Sequence, residues 1–268
     1  MTRTAPTGIG LALSGGAARG IAHIAVLEVL EEEGIPIHSI AGTSAGSIIG
    51  ALYAAGMTLF EIRRIALTTS WKNVLRFTIP RTGLISSEGI YSFLDRILPI
   101  KNFSDLVIPF AAVATDLRTG EKVDITTGSV ARAVQASCSL PVIFTPTERG
   151  KKALVDGGVA SQIPVRTVRE TLGAKIAVAV NVNFHGMDSD KLDNLVSIAA
   201  HLSALWATRN AREEEKLADA VITVNARNIP LYDLSKAREL LRRGRTAAEE
   251  QIPRIKALLR RSASSQRT

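Results

Sequence analysis

Apolar residues along the chain follow two rhythms. Gly8 to Leu13 is a short apolar run of strand length, and Ile37 to Ala41 is another. Between them, over about 18–33, Ile21, Ile24, Ala25, Leu27, Val29 and Leu30 recur at helical spacing. Glu28, Glu31, Glu32 and Glu33 fill the opposite face, and Gly34 supplies the stop. A second helix is predicted over 44–55, ended by Gly56. The chain thus opens β-α-β-α, the start of a sheet with parallel strands. The pattern predicts further strands at 108–115, 119–126 (one arm of a hairpin), 152–155, 175–182 and 219–224. Helices are predicted near 87–97, 129–136, 164–172, 191–217 and 234–262. No repeat and no Gly/Ser linker divides the chain. The expectation is one α/β domain over 8–225 with a mostly parallel central sheet flanked by helices. A helical extension over 226–262 packs on it, and 263–268 form a disordered tail.

One stretch breaks the alternation. In SWKNVLRFTIPRTGLIS, residues 70–86, Trp71, Leu75, Phe77 and Ile79 are interleaved with Lys72, Arg76 and Arg81. Such a segment is either an interfacial lid, with Trp71 and Phe77 at the mouth of a site, or a loop packed on the core.

Composition narrows the class. The chain has 268 residues, 46% of them hydrophobic, enough for a sizeable core. No apolar run reaches the ~18 residues of a membrane span. MTRTAPTG has no long apolar run, so no secretory leader is expected. A single cysteine, Cys138, rules out an intrachain disulfide, and a cytoplasmic location is expected. His23, His38, His185 and His201 lie far apart, and no metal-ligand spacing occurs, so neither metal nor cofactor is expected. Net charge is +8, and residues 201–268 hold 14 Lys and Arg against 8 Asp and Glu. This basic third reads as a solvated helix face or as a peripheral contact with an anionic membrane, at the inner membrane surface. Aromatic residues make up only 4% and are not interleaved with the basic ones, so no nucleic-acid partner is expected.

The chemistry gathers at three places. GTSAG, residues 42–46, has the spacing G-x-S-x-G between a strand and a helix, a sharp turn that presents Ser44 as a nucleophile; Gly42 and Gly46 give it room. SGGAARG, residues 14–20, follows the first strand and opens the first helix, where unpaired N–H groups make an anion site. That site suits either a dinucleotide phosphate or the oxyanion of an acyl-transfer intermediate. A dinucleotide site needs an acidic residue about 20 positions on, and Ala41-Gly42-Thr43-Ser44 stand there instead. Adjacent parallel strands would bring the glycine loop and Ser44 into one crevice. The third place is Asp156, at the end of an apolar strand and followed by Gly157 and Gly158. It is either a plain Asp-Gly turn or a base for Ser44. A triad in chain order would add His185, in a predicted loop, or His201, in a predicted helix.

Taken together, SGGAARG, GTSAG and the DGG at 156–158, with ATDLRTGE (114–121) and ASCSLPVIFTP (136–146), make the chain similar to the bacterial patatin-like phospholipases over about residues 8–225. That resemblance implies a Ser44–Asp156 dyad without a catalytic histidine. It also implies an oxyanion site at the backbone N–H groups of Gly15, Gly16 and Ala17, with Arg19 holding the loop. The implied substrate is a lipid ester, cleaved through an acyl-enzyme. Ala17 departs from the family pattern, which often has a third glycine there; it keeps the N–H while restricting φ and adding a methyl group. The alternatives are a Ser-Asp-His esterase or thioesterase, and a non-catalytic regulatory protein on the same fold.

Overall fold

The computed structural model describes residues 8–70, 85–183 and 195–264. The opening alternation is present as β1 (Ile9–Leu13), α1 (Ala22–Glu32), β2 (Ile37–Thr43) and α2 (Ala45–Ala54). There follow α3 (Leu59–Thr68), α4 (Glu88–Ile97), β3 (Phe110–Asp116), β4 (Lys122–Ile125) and α5 (Val130–Ser137). The chain continues through β5 (Thr147–Arg149), β6 (Lys152–Asp156), β7 (Ile176–Asn181), α6 (Leu195–Glu215), β8 (Ala220–Thr223) and α7 (Ala237–Ser264).

The strands form one sheet in the order β5-β6-β3-β2-β1-β7-β8, with β4 also paired to β3. β3, β2, β1, β7 and β8 run parallel, while β4, β5 and β6 are antiparallel at one end. The expected mixed sheet, mostly parallel in its centre, is what forms. The central strands are buried on both faces, which is why β1, β3 and β7 read as continuous apolar runs and not as alternation.

Three elements depart from the sequence reading. α3 was not expected; Thr58 caps it reciprocally with Glu61, a Thr-x-x-Glu capping box that is visible in the sequence. β5 (Thr147–Arg149) was not expected either, whereas the helix expected over 164–172 is present, wound as a π-helix over Thr167–Thr171. α7 runs two residues into the expected tail, to Ser264.

The basic C-terminal third finds part of its countercharge inside the fold. α7 lies along α1, where Arg245 bonds Glu32 at 2.7 Å and Lys256 bonds Glu33 at 2.6 Å. Close approach of the two helices depends on Gly244, whose missing Cβ would sit 2.4 Å from the Ala22 carbonyl. The glutamate run of α1 is thus one half of a helix–helix contact. Among the described residues, no helix is long and apolar enough to cross a membrane.

Candidate active site

Strand register alone brings the site together. Leu13 of β1 lies opposite Gly42 of β2, so the glycine loop and the serine turn leave the sheet side by side. Thr43 lies opposite Val113 of β3, and Ala114 lies opposite Asp156 of β6. Ser44 and Asp156 therefore stand at the same level of the sheet, on either side of β3. Both line one cavity, with Gly15, Gly16 and Ala17 on its wall. It encloses about 1000 Å³ of empty space, part of it open to solvent.

Ser44 occupies a backbone conformation that L residues rarely adopt, φ 50° and ψ −122°. Such a residue carries roughly 1–3 kcal/mol of strain. Its surroundings hold it there. The Ser44 N–H donates to Ser137 Oγ at 2.9 Å, and that hydroxyl donates on to the Val113 carbonyl at 2.6 Å. The Ser44 carbonyl accepts from Ser47 N–H at 2.8 Å and Ser47 Oγ at 2.6 Å. Gly42 and Gly46 are required by space: a Cβ on Gly42 would sit 2.5 Å from the Gly46 carbonyl oxygen, and one on Gly46 would sit 2.4 Å from that of Leu13.

Asp156 is buried. Burial pushes its carboxyl pKa up to about 6; the Ser44 hydroxyl beside it and the Gly158 N–H pull the other way. The Gly158 N–H donates to Asp156 Oδ1 at 2.8 Å. A Cβ on Gly157 would lie 2.1 Å from the Val113 carbonyl, so the chain turns there only because glycine stands after Asp156.

The glycine loop corrects one expectation. Gly15 N–H is engaged, donating to the Gln162 carbonyl at 3.1 Å while Gln162 Nε2 donates back to the Gly15 carbonyl at 3.0 Å. Gly15 shapes the cavity wall but has no N–H to give an oxyanion. Among the described residues, no acceptor lies on the N–H groups of Gly16 and Ala17. Ala17 adopts φ 45°, the left-handed region that glycine would enter without strain. Arg19 is buried and ties the loop down: Nε and Nη2 donate to the Ile229 carbonyl at 3.0 and 2.8 Å, and Nη1 donates to Asn183 Oδ1.

The histidines divide. His23 is buried, with Nε2 on the Ser14 carbonyl at 2.9 Å, and burial lowers its pKa to about 4. It is a neutral prop beneath the glycine loop. His38 is exposed at the start of β2, and His201 sits in α6. Among the described residues, no histidine lines the cavity. His185 lies outside the described residues, as do Trp71 and Phe77.

Sequence reasoning did not single out Ser137, Gln162, Asn183 or Tyr232. Ser137 supports Ser44 from behind, Gln162 clasps Gly15, and Tyr232 lines the cavity. Isolated polar residues outside a motif carry no pattern in one sequence. Ser137 ends α5 and Asn183 lies two residues past β7, and that placement is the one signal the sequence carries for them.

Comparison with known proteins agrees with this architecture. The patatin-like phospholipase family profile matches residues 11–169, which include the glycine loop, Ser44 and Asp156. An uncharacterized NTE family protein of Mycobacterium tuberculosis is 32% identical over 238 residues, 88% of this chain and 60% of that one. Patatin-like phospholipase domain-containing protein 6 of Homo sapiens is 35% identical over 206 residues, 74% of this chain and 14% of that one. This chain therefore spans about three fifths of the mycobacterial relative and a small part of the human one. In fold it is similar to VipD from Legionella pneumophila, with TM-score 0.56 and 16% identity, covering 93% of this chain and 67% of that one. With the family's profile running through the loop, the serine turn and the buried aspartate that the fold has brought to one cavity, the chain belongs to the patatin-like phospholipases.

Proposed function

We propose that this protein is a serine acyl hydrolase that cleaves lipid carboxylic esters through a Ser44–Asp156 dyad. The observation that carries the reading is the meeting of Ser44 and Asp156 at one level of the sheet, in a cavity with two N–H groups left over.

In the first half-reaction Ser44 Oγ attacks the ester carbonyl carbon, and its proton passes to Asp156. The carbonyl oxygen becomes an oxyanion, held by the N–H groups of Gly16 and Ala17, each worth roughly 3–4 kcal/mol in such a site. Collapse breaks the bond to the alcohol, which leaves with the proton from Asp156. Water then attacks the acyl-serine and gives a proton to Asp156. Ser44 departs as the hydroxyl by taking that proton back, and a carboxylic acid is released. A carboxyl with pKa about 6 is a better match to this work than an ordinary aspartate, while it is still mostly ionised at neutral pH. Gly15 shapes the wall, Arg19 fixes the loop, and the Asp-Gly-Gly turn holds the base.

The cavity wall is mainly apolar, with Ile48, Ile90, Leu140 and Phe144 among its residues, which suits an ester carrying a hydrocarbon chain. The reading includes phospholipid, lysophospholipid and simpler acyl esters, met at a membrane surface from the cytoplasmic side. The test is hydrolysis of p-nitrophenyl butyrate and of a mixed phospholipid panel by wild type, Ser44→Ala, Asp156→Asn and His185→Ala. Loss in the first two variants with His185→Ala unchanged is the expected result. Loss in His185→Ala as well would move the protein to a triad mechanism. A folded wild type inert on every ester would leave a regulatory protein on a hydrolase fold.

A further inference from the structure

A second, almost entirely apolar chamber opens beside the catalytic cavity. Its walls come from the helical turn Ala17–Ile21 that follows the glycine loop, from α2, α3 and α4, and from Leu234, with Ile62 and Ile65 from α3 and Phe93 and Leu94 from α4 facing it. It holds about 760 Å³ of empty space, part of it open to solvent. The two spaces share four wall residues: Ala17, Ala45, Ile48 and Ile90. Two of these flank the proposed chemistry directly. Ala17 carries one of the unpaired N–H groups, and Ala45 follows Ser44.

The chamber offers hydrocarbon and nothing else. Thr69 is the one hydroxyl-bearing residue on its wall among the described residues, and its Oγ1 donates to the Ile65 carbonyl at 2.7 Å. The polar side chains near Ser44, namely Gln162, Asn183 and Tyr232, line the catalytic cavity and not the chamber. An ester lying across Ser44 therefore meets unlike surroundings on its two sides. A glycerol, phosphate or other polar alcohol portion would be stripped of water in the chamber without compensation. A hydrocarbon chain gains from burial there, in proportion to the area it removes from water.

We infer that the chamber is the acyl-chain site. The acyl group of the substrate passes the threshold formed by Ala17, Ala45, Ile48 and Ile90, and its end lies between α3 and α4. The inference rests on the hydrolase reading above and adds direction and length selection to it. Ala17 then has a steric role besides its N–H, since its methyl narrows the threshold. The far wall, with Ile65 and Phe93, sets the chain length that fits.

The test uses p-nitrophenyl butyrate and p-nitrophenyl laurate with the full chain. Ile65→Trp fills the chamber from a half-buried position, and Phe93→Ala deepens it. Expected is a loss of at least about tenfold in kcat/KM for laurate in Ile65→Trp, with butyrate within about twofold of wild type. Phe93→Ala should move the preferred chain length upward through the straight-chain ester series. Ala66→Leu, a smaller filling, repeats the first arm if Ile65→Trp lowers the melting temperature. Equal loss on both esters, or an unchanged chain-length profile in all three variants, overturns the inference. Butyrate hydrolysis that persists alongside such a profile leaves the hydrolase reading standing without the chamber. A folded wild type that cleaves neither ester removes both.

Discussion

Ser44 and Asp156 reach the same level of the sheet from opposite sides of β3, yet they are held by different physics. Ser44 arrives on a parallel strand and is fixed by steric fit. Two glycines pack backbone on backbone, and a positive φ is locked by hydrogen bonds to both its N–H and its carbonyl. Asp156 arrives on an antiparallel strand with relaxed geometry, and its reactivity comes from burial. In the proposed mechanism, backbone strain sets the nucleophile and lost solvation sets the base. The first should break on changes of volume, the second on changes of charge and pH.

The largest effect comes from removing either group. Ser44→Ala and Asp156→Asn are each expected to lower kcat on a short ester by about 10³-fold or more, measured with matched, folded protein. The wild-type rate should also fall about tenfold per pH unit below pH 6, where Asp156 takes up its proton. A pH–rate profile that is flat between pH 5 and 8 would contradict Asp156 as the base.

Stability separates the two sides next. The folded protein binds the Asp156 proton more tightly than the unfolded chain does, because its pKa rises from 3.8 to about 6. Wild type is therefore relatively favoured at low pH and loses stability as pH rises from about 4 to 6. Asp156→Asn escapes that loss. It should be more stable than wild type at pH 8 by on the order of 2–3 kcal/mol, a gain that vanishes near pH 4 in paired thermal melts. On the serine side, Gly46→Ala puts a methyl 2.4 Å from the Leu13 carbonyl. It should destabilise by about 1–3 kcal/mol at both pH values, with activity lost along with the turn.

The smallest effect is the most local. Ala17→Gly relieves a φ of 45° and adds freedom to the unfolded chain, so the two terms oppose. A net change under about 1 kcal/mol in stability is expected, while removal of the methyl raises kcat/KM on bulky esters. A drop in melting temperature of ten degrees or more would show that the Ala17 methyl packs as part of the core.

The sheet and the serine turn were legible because their causes are local. Apolar runs and glycine spacing mark β1, α1, β2 and α2 within a few residues, and Asp156 stands out through the two glycines that follow it. What escaped depends on distant partners. Gly15 reads as a donor until Gln162, far along the chain, takes its N–H. The segment at 167–171 is helical as its composition suggests, but its π winding, with the Leu172 N–H on the Thr167 carbonyl, is set by packing that the sequence does not mark. α3 is different. Its Thr58–Glu61 box and the spacing of Leu59, Ile62 and Ile65 are local marks that the sequence carries in full. The basic C-terminal third suggested an outside partner because sequence shows charge but not its neighbour, and α1 proved to hold part of the answer.

The glycine loop is fastened by residues made long after it. Ala18 N–H donates to the Leu231 carbonyl, and Arg19 grips the Ile229 carbonyl. Both anchors lie beyond residue 169, where the family profile ends. The serine turn and Asp156 fall inside the matched stretch, while the loop beside them is secured from outside it. In the proposed hydrolase, a chain cut at the profile boundary would keep the nucleophile and the base and lose two fastenings of its oxyanion loop.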